Sequence, residues 1–125
     1  MIFGGETTVE VRGRGKGGRN QHLVLSALKH FIEHWSSDID YLRGISLLSG
    51  GTDGQDGPTD AAGAWIDVDL ITKFSSDLHT VQRQLDECAS FDFFTSDEFT
   101  NGYLLRTGLT GTNVMDVQIL MIERP

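Results

Sequence analysis

The chain reads as an α/β domain: a single layered α/β sandwich whose helices cover a mostly buried, mixed sheet. Three observations predict it. Short apolar or β-branched runs of strand length recur near the start, the middle and the end of the chain. A long segment with helical apolar spacing lies between the first two, and further helical patterns separate the last two. At 125 residues, positions 1–125 suffice for one domain with a core of its own.

Ile2-Phe3 resembles the last fragment of a buried strand, and Gly4-Gly5 turns the chain after it. Thr7-Thr8-Val9-Glu10-Val11 alternates and is β-branched, which predicts a second strand. Antiparallel pairing of this strand with its predecessor makes the sheet mixed. A first strand cut this short suggests a larger protein, or a homodimer in which a partner pairs with the free edge.

Asn20 is an N-cap for the clearest helix. Its apolar face comprises Leu23, Val24, Ala27, Leu28, Phe31, Ile32 and Trp35, and Ser36-Ser37-Asp38 ends it. Residues 44–48 form a buried strand, and the small residues 61–65 pack beneath the loop that follows it. Helices are expected at 67–75 and 80–88, the second placing Cys88 on a core face where it is inert. Phe91-Asp92-Phe93-Phe94 is an aromatic connection on the core, and Ser96-Asp97-Glu98 opens a short helix that stops near Gly102. Residues 114–122 read as a well-buried closing strand.

Composition excludes several functions. The net charge of −8 opposes a nucleic-acid partner, since phosphate backbones need a basic field. No apolar run approaches the roughly 20 residues that cross a bilayer. A single cysteine allows neither an internal disulfide nor a cysteine-rich zinc site. With no leader pattern at the N-terminus, a cytoplasmic setting is expected. His30 and His34 lie one turn apart but away from the apolar face, so they are expected in solvent.

Glycine marks where chemistry could sit. Twelve of fifteen fall in four clusters: Gly4-Gly5, Gly13 to Gly18, Gly50 to Gly57, and Gly108 with Gly111. The apolar run Leu47-Leu48 stops in Ser49-Gly50-Gly51-Thr52-Asp53-Gly54-Gln55-Asp56-Gly57-Pro58-Thr59-Asp60, a loop without a basic residue. Strand ends of this kind deliver polar groups to a ligand at the sheet rim. Asp53 and Asp56 offer hard oxygen ligands for Mg²⁺ or a base. The plainer alternative is an acidic turn in which Thr59 or Asp60 caps a following helix. This loop alone lacks the alternating spacing of a calcium cage.

The segment 12–20 concentrates Arg12, Arg14, Lys16 and Arg19. Gly13-x-Gly15-x-x-Gly18 has the form of a dinucleotide fingerprint, but the next strand end, at Asp53, lies 35 residues past Gly18 instead of about 20. No Gly-Lys-Ser/Thr of a phosphate-binding P-loop occurs. What remains is a helix N-terminus with cationic neighbours, suited to a carboxylate or phosphate, with Arg19 best placed for bidentate contact. A solvated basic turn is the alternative. Thr110, Thr112 and Asn113 in the last glycine loop add hydroxyl and amide groups. If the three loops meet, they form a half-cleft for a small oxygen-rich anion.

These clusters, in this order, resemble the MOFRL domain, the C-terminal domain of class II D-glycerate 2-kinases (also called hydroxypyruvate reductases). The matching residues are Gly4-Gly5-Glu6-Thr7-Thr8-Val9, Gly15-Lys16-Gly17-Gly18-Arg19-Asn20-Gln21, and the stretches 48–64 and 107–116. The resemblance implies transfer of the γ-phosphoryl of ATP to D-glycerate with Mg²⁺. It places that reaction in a cleft between this domain and an N-terminal Rossmann-like kinase domain. Arg19, Asn20, Lys16, Gly51, Thr52, Thr110, Thr112 and Asn113 would then contact substrate, with Asp53, Asp56 and Arg19 in catalytic roles and the two aspartates on the metal. His22 stands where the family usually carries Glu. With the kinase domain outside these 125 residues, the chain alone is expected to be inactive. The competing expectation is a free-standing module that binds a small anion or a protein without catalysis.

Overall fold

A computed structural model describes residues 1–123. Its strands are β1 (Ile2–Gly5), β2 (Ile45–Gly51), β3 (Gly63–Ile66), β4 (Leu104–Leu105) and β5 (Asp116–Ile122). The helices are α1 (Arg19–Trp35), α2 (Val68–Phe74), α3 (Leu78–Asp86), α4 (Ser90–Phe94) and α5 (Glu98–Asn101), and a 3₁₀ stretch, Ser36–Leu42, follows α1. The α/β class holds. The sheet runs β1-β5-β2-β3-β4, and each of its four pairings is antiparallel, so the expected mixed sheet is corrected.

The error traces to residues 6–12, expected to contain a strand and found without regular structure. Gly5, at φ +146°, leads the chain off the sheet after β1. The segment pairs with no strand of the sheet, and β-branching alone does not make a strand. β1 itself lies at the sheet edge on β5, with Ile2 and Phe3 exposed rather than buried.

Register shows which face of the sheet is covered. Leu47 lies opposite Ile66 and Leu120, whereas Leu48 lies opposite Trp65 and Ile119. Ala64, Ile66 and Leu104 belong to the core with Val24, Leu25, Leu28 and Ile32 of α1, and Leu47 packs against it half-buried. On α1 the buried stripe is narrower than its apolar pattern, and Trp35 is exposed. The other sheet face carries a shallow groove of about 250 Å³ lined by Leu48, Trp65, Ile119 and Met121. Ile119 is 38% and Met121 50% exposed, so β5 is not the well-buried strand expected.

Local capping rules hold well. Asp67 accepts from the amides of Asp69 and Leu70 at the start of α2, and Asp97 forms a capping box with Thr100 on α5. Residues 61–65 do more than fill space, because Gly63–Ile66 pairs with β2. No helix follows Thr59 or Asp60 for either to cap. α3 ends at Asp86, and Cys88 lies beyond it at φ +51°, half-buried, not on a helical core face. Among the described residues no helix is long and apolar enough to cross a membrane.

Candidate functional site

Asp56 explains how the first two glycine loops are joined. It is only 1% exposed, and its Oδ1 accepts from the Asn20 amide at 3.0 Å while Oδ2 accepts from the Gln21 amide at 2.9 Å. The Asn20 side-chain amide donates to the same Oδ1 at 3.2 Å. α1 has Gly18 at its N-cap, with no side chain to bond the free amides. A carboxylate 36 residues away takes that place, and its charge complements the positive end of the helix dipole. Asn20, expected as the cap, is instead a buried residue of the first turn.

The contact leaves no space for side chains on the opposing backbone. A Cβ on Gly18 would lie 2.2 Å from Asp56 Cγ, and one on Gly57 would lie 2.5 Å from the Gly17 carbonyl oxygen. Around it, Gln21 Nε2 donates to Thr59 Oγ1 at 3.0 Å, and Ser49 Oγ donates to Asn20 Oδ1 at 2.7 Å. This buried network ties α1, β2 and the acidic loop into one rigid unit.

Arg19 lies at the junction with the third loop. Its Nε and Nη2 donate to Oδ2 and Oδ1 of Asp116 at 2.6 and 3.0 Å, a bidentate pair. Its Nη1 contacts Glu6 at 3.0 Å. Asp116 is fully buried, and its bond to the guanidinium pushes the Arg19 pKa further above its ordinary value, so Arg19 stays charged. Asp116 was given no role from sequence. The only local signal was an aspartate opening an apolar strand, whose significance depends on a partner 97 residues away.

The third loop is laced to the second by hydroxyls. Thr52 Oγ1 donates to the Met115 carbonyl at 2.7 Å and accepts from the Val114 amide at 2.8 Å. Thr110 donates through its amide to the Asp53 carbonyl and through Oγ1 to the Thr52 carbonyl. Thr112 and Asn113 are exposed, and Asn113 Oδ1 accepts from the Met115 amide. Gly51 is buried, with its amide on the Ala62 carbonyl. The three loops therefore do meet.

The candidate residues divide by accessibility. Arg19, Asp53 and Thr52 are half-buried, and Thr110, Thr112 and Asn113 are exposed. Asn20 and Asp56 are enclosed and hydrogen-bonded within the protein. Lys16 turns aside: its amide donates to Asp92, and its Nζ lies 4.8 Å from the Phe91 ring centroid. Asp53 Oδ1 accepts from the Gln55 amide at 3.0 Å. Among the described residues no cluster of three or more His, Cys, Asp or Glu could hold a metal ion.

Comparison with known proteins identifies the family. Residues 1–116 match the MOFRL family. The chain is 48% identical to glycerate kinase of Rattus norvegicus over 124 residues, covering 98% of this chain and 23% of that protein. It is 41% identical to the D-glycerate 2-kinase of Thermotoga maritima, covering 26% of it. The crystal structure of glycerate kinase from T. maritima superposes with a TM-score of 0.73 at 40% identity, covering 98% of this chain and 27% of that one. The PH0495 protein from Pyrococcus horikoshii also gives 0.73, at 38% identity. The chain thus spans about a quarter of the length of these relatives, and it aligns with the C-terminal part of the kinases. The chain belongs to the MOFRL family.

Proposed function

We propose that this domain forms one wall of a cleft in which the γ-phosphoryl of ATP passes to D-glycerate. The opposite wall would come from a nucleotide-binding kinase domain outside these 125 residues. The supporting observation is Arg19, a permanently charged guanidinium set at a helix N-terminus where the three loops converge. Asp116 is buried and fixes the fork, whereas the Glu6 side chain is 52% exposed and contacts Nη1 alone. A substrate carboxylate or phosphate can replace Glu6 at Nη1 without breaking the Asp116 pair. Asn20 and Asp56 then act one step back, by holding the backbone that presents Arg19. Phosphoryl transfer depends mainly on such positioning and charge neutralisation.

The residues fit Mg²⁺ only as a shared ligand set. Asp56 is buried against α1, and Asp60 pairs with Arg106 at 3.1 Å, so Asp53 is the loop carboxylate placed to contribute. Mg²⁺ commonly takes one or two carboxylates and completes its shell with water and phosphate oxygens, whose charge it offsets. Thr52, Thr110, Thr112 and Asn113 would line the cleft beside Asp53. The relatives' kinase names favour this reading over a module that only binds anions or proteins.

A chimera tests the proposal. With this chain in place of the C-terminal quarter of the T. maritima enzyme, ATP-dependent phosphorylation of D-glycerate is expected, and Arg19→Ala should lower kcat/KM by about 100-fold. A well-folded chimera without activity, or one indifferent to Arg19→Ala, overturns it. The 125-residue chain alone should show no turnover. Pairing of two copies through the free edge of β1 belongs to the same reading, and a monomer in sedimentation at 100-fold different concentrations would exclude it.

A further inference from the structure

Away from the loop cluster, α1 sets two imidazoles side by side in solvent. His30 and His34 are four residues apart on one helix face, and both are exposed. Their ring centres are 4.5 Å apart, with 47° between the ring planes. Leu28 and Ile32, each two residues before a histidine, are buried, so the pair stands on the far side of α1 from the core. That packing fixes the backbone under both rings, and the phosphoryl-transfer reading uses neither of them.

The ring separation is that of a chelate. A neutral imidazole holds a first-row metal ion in its ring plane, at about 2.0–2.1 Å from the nitrogen. Two imidazoles meeting one ion at a right angle then have centres about 4.5 Å apart, against about 5.2 Å at the tetrahedral angle. The observed 4.5 Å matches neighbouring positions on a square-planar or octahedral ion, the geometries of Cu²⁺ and Ni²⁺, better than tetrahedral Zn²⁺. Parallel rings stacked face to face could not both hold one ion in their planes. At 47° the planes intersect, as a shared ion requires.

The surroundings favour a cation. Lys29, the adjacent base, is paired with Glu33 at 3.4 Å. His34 lies in the last turn of α1, where the free carbonyls carry partial negative charge. The exposed Asp38 follows in the 3₁₀ stretch. No third His, Cys, Asp or Glu completes a cluster among the described residues, so water would fill the remaining positions on the ion. Two imidazoles on one rigid turn still bind far better than one, because the second joins an ion already held beside it.

We propose that His30 and His34 form a two-histidine chelate on the exposed face of α1 for one late transition-metal ion, Ni²⁺ or Cu²⁺. The site is separate from the Asp53 side of the loop cluster and does not depend on the kinase reading. Ni²⁺ is the probe, because it leaves the Cys88 thiol unoxidised. It is titrated into the 125-residue chain at about pH 8, where free imidazole is neutral, and followed by calorimetry and amide NMR. One ion should bind saturably, and its paramagnetism should first broaden the signals of residues 29–35. His30→Ala and His34→Ala should each weaken binding about tenfold, while His79→Ala, at an exposed position on α3, changes nothing. Both histidines are exposed, so the variants keep the fold, which far-UV circular dichroism checks. Zn²⁺ should bind more weakly than Ni²⁺, and Mg²⁺, which prefers oxygen ligands, should not compete. Broadening centred elsewhere, or affinity that neither histidine variant changes, overturns the proposal. So does tighter binding of Zn²⁺ than of Ni²⁺.

Discussion

The inner and outer parts of the loop cluster use glycine for opposite reasons. In the inner part, Gly18 and Gly57 are needed because backbone, carboxylate and helix end meet with no space for a Cβ. In the outer part, Gly108 and Gly111 have open space around them, and what they supply is positive φ, +68° and +76°. The inner part encloses its polar groups; the outer part leaves Thr110, Thr112 and Asn113 in solvent. One builds a rigid base, and the other offers side chains to whatever approaches. The comparison separates enclosed, hydrogen-bonded residues from accessible ones, although composition alone ranks them together.

The sharpest way to break this distinction is Asp56→Ala. Removing the carboxylate strands two backbone amides and the Asn20 side chain at a buried helix end, and about 3–4 kcal/mol of stability should be lost, read from the urea midpoint. Asp53→Ala in the same loop should cost under about 1 kcal/mol, because only the Gln55 amide loses its contact. Equal effects would abolish the distinction between the two aspartates.

Gly18→Ala should come next, at about 2 kcal/mol, since its Cβ overlaps Asp56 and either the loop or α1 must shift. Gly111→Ala, in open space, should cost only about 1 kcal/mol, through its left-handed backbone. A reversed order in thermal melts would show that backbone strain, not packing, governs the cluster.

The smallest effect concerns pH. Burial lowers the His22 pKa below its ordinary 6.5. Its stabilising contribution is therefore fully present above pH 6.5 and is lost as the pH falls toward the folded-state pKa, because only the unfolded chain takes up the proton readily. Stability measured from pH 8 down to pH 5 should show this decline, and His22→Gln should flatten it.

Helical periodicity was legible because it depends on near neighbours, whereas the cap expected at Asn20 was not found, because a carboxylate distant in sequence takes that place. Val24, Leu28 and Ile32 line the buried face of α1 as their spacing predicts, whereas the equally buried Leu25 lies outside the apolar face read from the sequence. The glycine loops were equally legible as a group and carried the family with them. Their internal division was not. Asp53 and Asp56 have the same chemistry and similar neighbours in sequence, and they differ only in which one meets the end of α1.

By itself, then, the sequence determined the α/β class, the main helix, the glycine loops that meet and the MOFRL membership. Each depends on local spacing or on a motif read along the chain. Tertiary structure decided that residues 6–12 leave the sheet instead of extending it, that each of the four strand pairings is antiparallel, and that one sheet face stays open. It also set Asp56 on the helix end and Asp116 on Arg19. The reason is physical: a free strand edge, an unfilled amide or a charged fork can be satisfied by any suitable group, and only folding selects which one arrives.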